Sequence, residues 1–599
     1  MKKINFFIAA NLIFAVLFSL INICFNPDIS CLAFIISLVF TGFMIYFLGI
    51  NIYKKKLSEK VFCAKKFLQY EAYIYLIAFI IRRAGLKETG FIFDLISVIF
   101  WLGIFISGLF LQKYFNPKNY KVITGITITD FKNESFVKMF SKGKTRNGKK
   151  VSGIDYLKWL GFEIVDWGDA LVQAVFMLFL FQIFFFQLYK IPSESMVPEY
   201  MINDRVAVSK LTSGPKFPLS DVGIPCFKKY HRGDIVVLRN PHYIINRESE
   251  VKTVVSQIVH MLTFTLVNTN LDENGNIKAD PLVKRITGLE GEQLMMQDGI
   301  LYSRTKDSDE FKVVQEDAKW ASYNLNDENE AVKRYIRDFR VSDEIYEELC
   351  FVEKQRNNLD MNFAKQRCNE LAVEFSKYAD NFELSDNELL EIFNSSEMQE
   401  ALFTKFYDNY IQRLLSLKGG AGWFKKFMTE WILSYDQLSE NGLIGNNLYD
   451  DANYKLNIMF KLTLGELFVK CAELSHKMIP AETWNDDSVV SQNKMLLRLL
   501  HNYMCVMDLR NMPVFPENDE NGNPCYIPEG CYFMMGDNRF NSFDMRHTNK
   551  EFLAKLTEYD NYSLTYYSSM KPMYVPEKLI LGSAVFRFWP LTRAVRNAR

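Results

Sequence analysis

At 599 residues the chain is too long for one compact core, and a prior of roughly 100–200 residues per domain points to three or four structural units. Its 70 Lys and Arg balance 70 Asp and Glu, so overall charge gives no reason to expect nucleic acid or an acidic partner. The 51 Phe residues are many for a soluble protein, and their concentration in uncharged runs near the start points to lipid.

No charge occurs between Lys3 and Asp28, nor between Asp28 and Lys54. Each run can cross the ~30 Å hydrocarbon core as a helix of about 20 residues. Residues 67–81 and 91–112 read as third and fourth spans, although they carry Glu71 and Asp94. Residues 170–189, containing FMLFLFQIFFF and bounded by Asp169 and Lys190, read as a fifth. The first run lacks a small-residue cleavage site followed by a soluble domain, so it is expected to be a retained anchor rather than a cleaved leader. Lys2, Lys3, Lys54, Lys55 and Lys56 flank the early spans, and residues 113–168 hold eleven Lys/Arg against five Asp/Glu. The positive-inside tendency makes those segments cytoplasmic, and five crossings leave everything after Lys190 outside. Arg82 and Arg83 fall in what would be an outer loop, which argues against the third and fourth spans; losing both leaves the same exit side. The expected order is a membrane region over 1–112 with about four spans, a basic cytoplasmic segment over 113–168, and a last transmembrane helix over 169–189.

From 190 to about 241 the sequence is punctuated by Pro and Gly and contains β-rich runs at 205–208 (RVAV) and 234–238 (DIVVL). The same style returns at 283–294, 530–535 and 579–589, so a mainly-β domain is expected in two parts, 190–304 and 516–599. Between them, 305–515 reads as a helical insertion. Leu371, Phe375 and Tyr378 recur at helical spacing, and Ser385 with Glu388 forms a capping-box pattern before Leu389, Leu390, Ile392 and Phe393. The GGAG run at 419–422 is expected to divide the insertion into two lobes. Residues 251–268 suit a buried helix, a strand pair or a segment resting on a membrane surface. The fold class is thus a multi-pass α-helical membrane region followed by a mainly-β catalytic domain interrupted by a large α-helical insertion. The ten cysteines show no C-x-x-C pair and no His/Cys cluster, so a zinc site is not expected; Cys525 and Cys531 could form a disulfide or remain thiols.

The segment most informative for chemistry is 191–198 (IPSESMVP), directly after the fifth span. A Ser between Pro residues can be a simple turn, but here it stands where a substrate's apolar helix would end and its extended tail emerge. A serine hydroxyl needs a neighbouring base. The six histidines, at 231, 242, 260, 476, 501 and 547, lie in no triad context such as G-x-S-x-G, and His231 beside 232–234 (RGD) reads as a surface residue. A lysine remains. Lys284 lies in the apolar run 282–286 (LVKRI), where desolvation would lower its pKa, although a Lys-Arg pair can also mark a solvated strand edge. A third segment, 536–546 (GDNRFNSFDMR), is either a polar turn or a brace for a cleft.

The succession P-S-E-S-M-x-P, D-R-V-A-V-S-K, R-G-D-I-V-V-L, K-R-I-T-G-L-E-G-E, G-D-N-R-x-N-S-x-D-x-R and G-S-A-V-F-R-F-W-P resembles the sequence boxes of type I signal peptidases. The resemblance covers neither the first four spans nor the insertion. It implies Ser195 as nucleophile and Lys284 as general base, a Ser-Lys dyad. Ser193 and the Ser195 backbone N–H would hold the oxyanion, and Ser542 would orient the lysine. Asp537, Asn538, Arg539, Asp544 and Arg546 would brace the site, and Met196 and Pro192 would lie near the pockets for small substrate side chains. The sequence departs from the family pattern at Glu199, Asn203, Glu290, Glu292 and Met545, which leaves cleft shape and substrate preference open.

The implied reaction is amide hydrolysis through an acyl-enzyme, with no metal or organic cofactor and with the substrate extended beside a strand. The implied function is removal of signal peptides from exported precursors on the outer face of the cytoplasmic membrane. Partners would be those precursors, membrane lipid and the export machinery, with no nucleic acid. Alternatives are a dedicated processor of a few surface proteins and an inactive export scaffold, the last opposed by the retention of Ser195, Lys284 and Ser542.

Overall fold

Apolar helices fill the first part of the chain because long uncharged runs can satisfy their backbone groups internally only by winding up. The computed structural model describes residues 2–21, 30–85, 90–127, 153–225, 229–243, 246–263, 267, 269–271, 275, 278–403, 407–438 and 442–596. Its contacts divide it into two units: Met1–Leu188, Ala207–Lys229 and Tyr243–Asp280 form the first, and Tyr189–Val206, Tyr230–His242 and Pro281–Arg599 the second.

The first unit contains α1 (Lys2–Ile21), α2 (Ser30–Met44, continued as a π-helical stretch Ile45–Lys54), α3 (Val61–Ala84), α4 (Phe91–Tyr114), α5 (Pro117–Thr124), α6 (Gly153–Phe184) and α7 (Arg247–Leu262). Among the described residues four helices are long and apolar enough to cross a membrane: Lys2–Ile21, Cys31–Lys54, Phe91–Tyr114 and Glu163–Phe184. α3 is not among them because Lys65, Lys66, Glu71, Arg82 and Arg83 dilute its hydropathy. Yet Glu71, Arg82 and Arg83 are buried, and α3 shares a core with α1, α2 and α4 through Leu68, Tyr75, Phe18, Met44 and Ile104.

The arginine pair that argued against an outer loop is accounted for by Asp94. Arg82 Nη2 lies 3.1 Å from Asp94 Oδ1 and Arg83 Nε 3.1 Å from Oδ2, while Arg82 Nη1 also donates to Ser97 Oγ at 2.6 Å. Ser220 Oγ donates to the same carboxylate at 2.8 Å, and Arg83 Nε to Leu219 O at 2.6 Å. The end of α3, the start of α4 and residues 219–220 are therefore tied by ion pairs and hydrogen bonds, as polar groups facing a helix-bundle interior must be.

The last apolar helix differs from its expected bounds. α6 starts at Gly153, within the expected basic segment, and ends at Phe184 rather than 189. Residues Phe186–Lys190 form strand β1 instead, for the aromatic-rich run after Phe184 pairs equally well in a sheet. Most of the basic segment, 128–152, lies outside the described residues. Over 251–268 the described part is α7, not a strand pair, and 264–266 and 268 lie outside the described residues.

The unit boundary falls inside β1 and β2 (Arg205–Ser209). The remaining strands are β3 (Ile235–Leu238), β4 (Leu282–Gly288), β5 (Glu292–Gln297), β6 (Ile300–Thr305), β7 (Ser308–Val313), β8 (Met512–Phe515), β9 (Cys531–Met535), β10 (His547–Lys555), β11 (Thr565–Met570), β12 (Val575–Pro576), β13 (Ile580–Trp589) and β14 (Val595–Arg596). The second unit orders them β13-β3-β4-β9-β12 in one antiparallel sheet, with β14 on β13, and β7-β6-β5-β8 in another. β10 and β11 form a separate hairpin. The β-rich run over 283–294 forms two strands, β4 and β5, because Gly291 turns the chain at φ 80°. β4 is central: Val236 faces Lys284 on one side and Met535 faces Arg285 on the other.

The expected helical segment begins later than 305, since β7 runs to Val313, and its long helices extend from Asp343 to Val506 before β8 returns to pair with β5. Ser385 and Glu388 make the capping box. The GGAG run does not divide the segment. Gly419, at φ 74°, lets the chain pass Leu384 closely and start helix Gly420–Leu438, and one core embraces Phe375, Trp423, Trp431, Phe468 and Trp484 on both sides of it. That core also takes in Phe540, Leu556, Tyr562, Leu564 and Tyr566 from the later β part. Cys525 and Cys531 are both free thiols.

Candidate active site

The serine segment is a sharp turn fixed from below. Val197 N donates to Glu194 O at 3.1 Å and Tyr200 N to Met196 O at 2.8 Å. Asn203 N donates to Ile191 O at 2.9 Å from a left-handed backbone (φ 72°), a conformation asparagine tolerates better than most residues, so the departure from glycine there is benign. Glu194 is buried, and its carboxylate accepts from Arg337 N at 2.6 Å and Asp338 N at 3.1 Å. Pro192 and Ser193 are exposed, Ser195 is half-buried, and Ser193 Oγ lies 3.4 Å from Ser195 Oγ. Met196 is buried.

Lys284 stands on β4. It is 2 % exposed, and its Nζ donates to Ser542 Oγ at 3.1 Å. Burial pulls its pKa down to about 8, against the opposing attraction of Asp544. A direct hydrogen bond from Lys284 to Ser195 is not among those formed by the described residues; the two are joined through Gly536 instead. A Cβ placed on Gly536 would stand 2.2 Å from Ser542 Oγ and 2.4 Å from Ser195 O, so the lysine's partner and the serine's backbone meet across a residue that has no side chain. Asn538 completes the clamp, its N donating to Ser195 O at 3.2 Å and its Nδ2 to Glu194 O at 3.1 Å.

Around this junction the polar stretch 536–546 is held by three buried ion pairs. Arg285 is bidentate on Asp537 at 2.8 and 2.6 Å, Arg539 Nη2 meets Asp317 Oδ1 at 2.6 Å, and Arg546 Nε meets Asp544 Oδ1 at 2.8 Å. Asp544 Oδ2 also accepts from Gly536 N at 3.0 Å, tying the glycine to the pair. Burial alone would raise the Asp544 carboxyl, but the Arg546 guanidinium outweighs it and holds the group well below the usual carboxylate range. Backbone bonds from Ser322 N to Asp537 O at 2.8 Å and from Arg539 N to Ser322 O at 2.9 Å pin the outer side.

Histidine plays no comparable part. His231 is largely exposed, 3.9 Å from Asp234. His547 is buried, its pKa driven down to about 4 by desolvation, and its Nδ1 lies 3.2 Å from Ser569 Oγ rather than from a site hydroxyl. Among the described residues no group of three His, Cys, Asp or Glu side chains could hold a metal ion.

Ser195, Lys284, Ser542, Asp537, Asn538, Arg539, Asp544 and Arg546 thus lie around one junction, with Ser193 beside Ser195; among the described residues no contact places Pro192 or Met196 at a pocket. Sequence reasoning missed Gly536, Glu194 and Asp317 as participants. Gly536 carried a signal, a glycine at the head of the polar stretch, whereas Asp317 is 222 positions from Arg539 and carried none. The departures at Glu290 and Glu292 are likewise absorbed locally: Glu290 Oε2 accepts from Gly530 N at 2.9 Å, and Glu292 accepts from Leu289 N at 2.8 Å and pairs with Arg232.

A family model for the signal peptidases, peptidase S26, matches residues 164–359 and 486–589, which together make half of the chain. Two curated proteins named signal peptidase I are similar. That of Buchnera aphidicola is 34% identical over 73 residues, 12% of this chain and 23% of that protein. That of Pseudomonas aeruginosa is 26% identical over 135 residues, 22% of this chain and 46% of that protein. The chain therefore spans less than half the length of the curated relatives it matches. No solved structure matches it. Apolar N-terminal helices, an antiparallel β domain and the matched segments that carry Ser195, Lys284 and Ser542 agree on one assignment: the chain belongs to the signal peptidase family, peptidase S26.

Proposed function

We propose that this protein is a membrane-bound serine endopeptidase that removes N-terminal signal peptides from exported precursors on the outer face of the cytoplasmic membrane. The observation that carries the reading is the junction at Gly536, where the Ser542 hydroxyl bound by buried Lys284 and the backbone of Ser195 approach within one missing methyl group.

The mechanism uses the chain's own groups. Lys284 is neutral in a substantial fraction of molecules near pH 8. It takes the proton of Ser195, whose oxygen attacks the scissile carbonyl. The oxyanion is received by the Ser193 hydroxyl and the Ser195 backbone N–H. Protonated Lys284 gives its proton to the leaving amine, then as free base activates the water that releases the acyl group. Ser542 holds the lysine, while Asp544, Arg546, Asp537 and Arg539 hold Ser542 and the turn. The substrate lies extended, with alternate small side chains facing one wall.

The lysine-rich flanks favour an inside N-terminus, and with α3 counted as a crossing, since its Glu71, Arg82 and Arg83 are buried, five crossings would bring Ser195 to the outer surface. The helical segment inserted in the β domain lies partly outside the family match, over 360–485, and favours a second reading in which it narrows the substrates to a few surface proteins. A panel of exported precursors separates the two: the general enzyme cuts most of those with small residues at the cleavage site. Purified full-length Ser195→Ala and Lys284→Ala variants test the chemistry. Each should stay folded and lose precursor cleavage, and unchanged activity in either would sink the dyad.

A further inference from the structure

α3, α4 and α6 line a half-open cavity of about 270 Å³ within the first unit. Three amide side chains, Gln69, Gln112 and Gln173, line it together with the apolar walls Phe105 and Met177 and one carboxylate, Glu71. Glu71 is 1 % exposed. Its Oε2 accepts from Asn11 Nδ2 at 2.9 Å, but its Oε1 is buried without a hydrogen-bond partner, as is Asn11 Oδ1 beside it. No basic side chain lines the cavity, and Lys66, a turn and a half away along α3, is held by Asp169. Gly108 leaves the carboxylate its room, for a Cβ there would stand 3.0 Å from Glu71 Oε2.

A buried carboxyl oxygen without a partner leaves room for a hydrogen-bond donor, and a carboxyl inside a membrane-spanning bundle ionises only with a cation beside it. A lysine ammonium carries three donors and no acceptor, which suits Glu71 Oε1 and the glutamine carbonyls of the lining. On the signal-peptidase reading the substrate brings such a group. A signal peptide has a positively charged n-region followed by an apolar stretch of roughly 7–15 residues. Wound as a helix, that stretch covers roughly 10–22 Å, short of the ~30 Å hydrocarbon core. With the cut at the outer surface, the basic end stops in the inner half of the bilayer. The cavity lies at that end of the bundle, next to Lys113 and about one turn from Lys65 and Lys66.

We infer that the Glu71 cavity is a second subsite for the substrate, receiving a basic side chain of the signal peptide's n-region; this rests on the signal-peptidase reading above. It would let the enzyme distinguish an engaged signal peptide from an ordinary transmembrane segment, whose longer apolar helix carries its flanking charges past the cavity.

The test uses the full-length enzyme in vesicles of phosphatidylcholine and phosphatidylglycerol, which supply no primary amine, and two precursors that differ only in lysine or glutamine at the n-region. For the wild type, KM should be about tenfold lower for the lysine precursor with similar kcat, as expected for a charge-assisted hydrogen bond. Glu71→Gln should bring the two KM values within about twofold of each other. Equal KM values in the wild type, or a ratio that survives in Glu71→Gln, would overturn the inference. So would a ratio that appears only when phosphatidylethanolamine is added, which would place a lipid amine in the cavity. Should Glu71→Gln fail to fold, the full-length Ser195→Ala chain is crosslinked to a precursor carrying a photoreactive group next to its n-region lysine. Label on α3, α4 or α6 supports the subsite, and label confined elsewhere overturns it. Failure of the wild type to cut either precursor would strike the signal-peptidase reading alone, since the crosslink still decides the cavity.

Discussion

The second unit has two interiors of opposite character. Beneath the site, Lys284, Arg285, Asp537, Arg539, Asp544 and Arg546 are all buried; in the helical segment the buried volume is Trp423, Phe427, Trp431, Phe468 and Trp484. Buried ion pairs give little net stability because desolvation offsets their attraction, but they fix direction and distance. An apolar core does the reverse, contributing most of the stability without aiming any one atom. The two meet where Arg546 Nη1 donates to Leu509 O at 2.8 Å and Arg510 is bidentate on Glu353 at 2.7 and 2.9 Å. The helical segment thus supports the outer side of the polar stretch, whatever else it binds.

That contrast can be broken from either side. The largest effect is expected for Asp544→Asn, which leaves Arg546 buried without its carboxylate and should cost about 3–5 kcal/mol of stability together with most of the activity, measured by thermal unfolding and precursor cleavage. Trp431→Ala in the apolar core should cost about 3–4 kcal/mol while the folded fraction keeps its kcat; a selective loss of kcat would show that the helical core also aims the site. Gly536→Ala should cost about 1–3 kcal/mol of stability and lower kcat about 100-fold in the folded fraction, since its Cβ must displace either Ser542 or Ser195. Ser542→Ala should lower kcat about tenfold, the smallest change, because Lys284 loses its orienting partner and keeps its burial.

What could be read in the sequence followed the range of the interactions. The β runs around Lys284, the capping box at Ser385 and the ordered boxes holding Ser195 and Ser542 are local patterns, and local patterns survive into structure. The end of α6 was read late because an aromatic run after Phe184 suits a membrane helix and a strand alike. Arg82 and Arg83 argued against a span only because their partner, Asp94, sits on the next helix. Gly419 was read as a divider, although a glycine that permits a close approach to Leu384 joins lobes rather than parting them. The role of Gly536 depends on two segments far apart in sequence meeting at one point, which no spacing within either segment reveals.

The central claim is that a neutral, buried Lys284 serves Ser195 as base. Its most direct measurement is the pH dependence of kcat/KM for a precursor cut by the full-length enzyme. Burial lowers the lysine's pKa, so the free base forms as pH rises through about 8 and is lost below it. The rate should therefore climb about tenfold per pH unit up to that point and level off above it. A profile that stays flat between about pH 6 and 9, or that breaks near 6.5 as an unperturbed histidine would require, would contradict the Ser195–Lys284 pair.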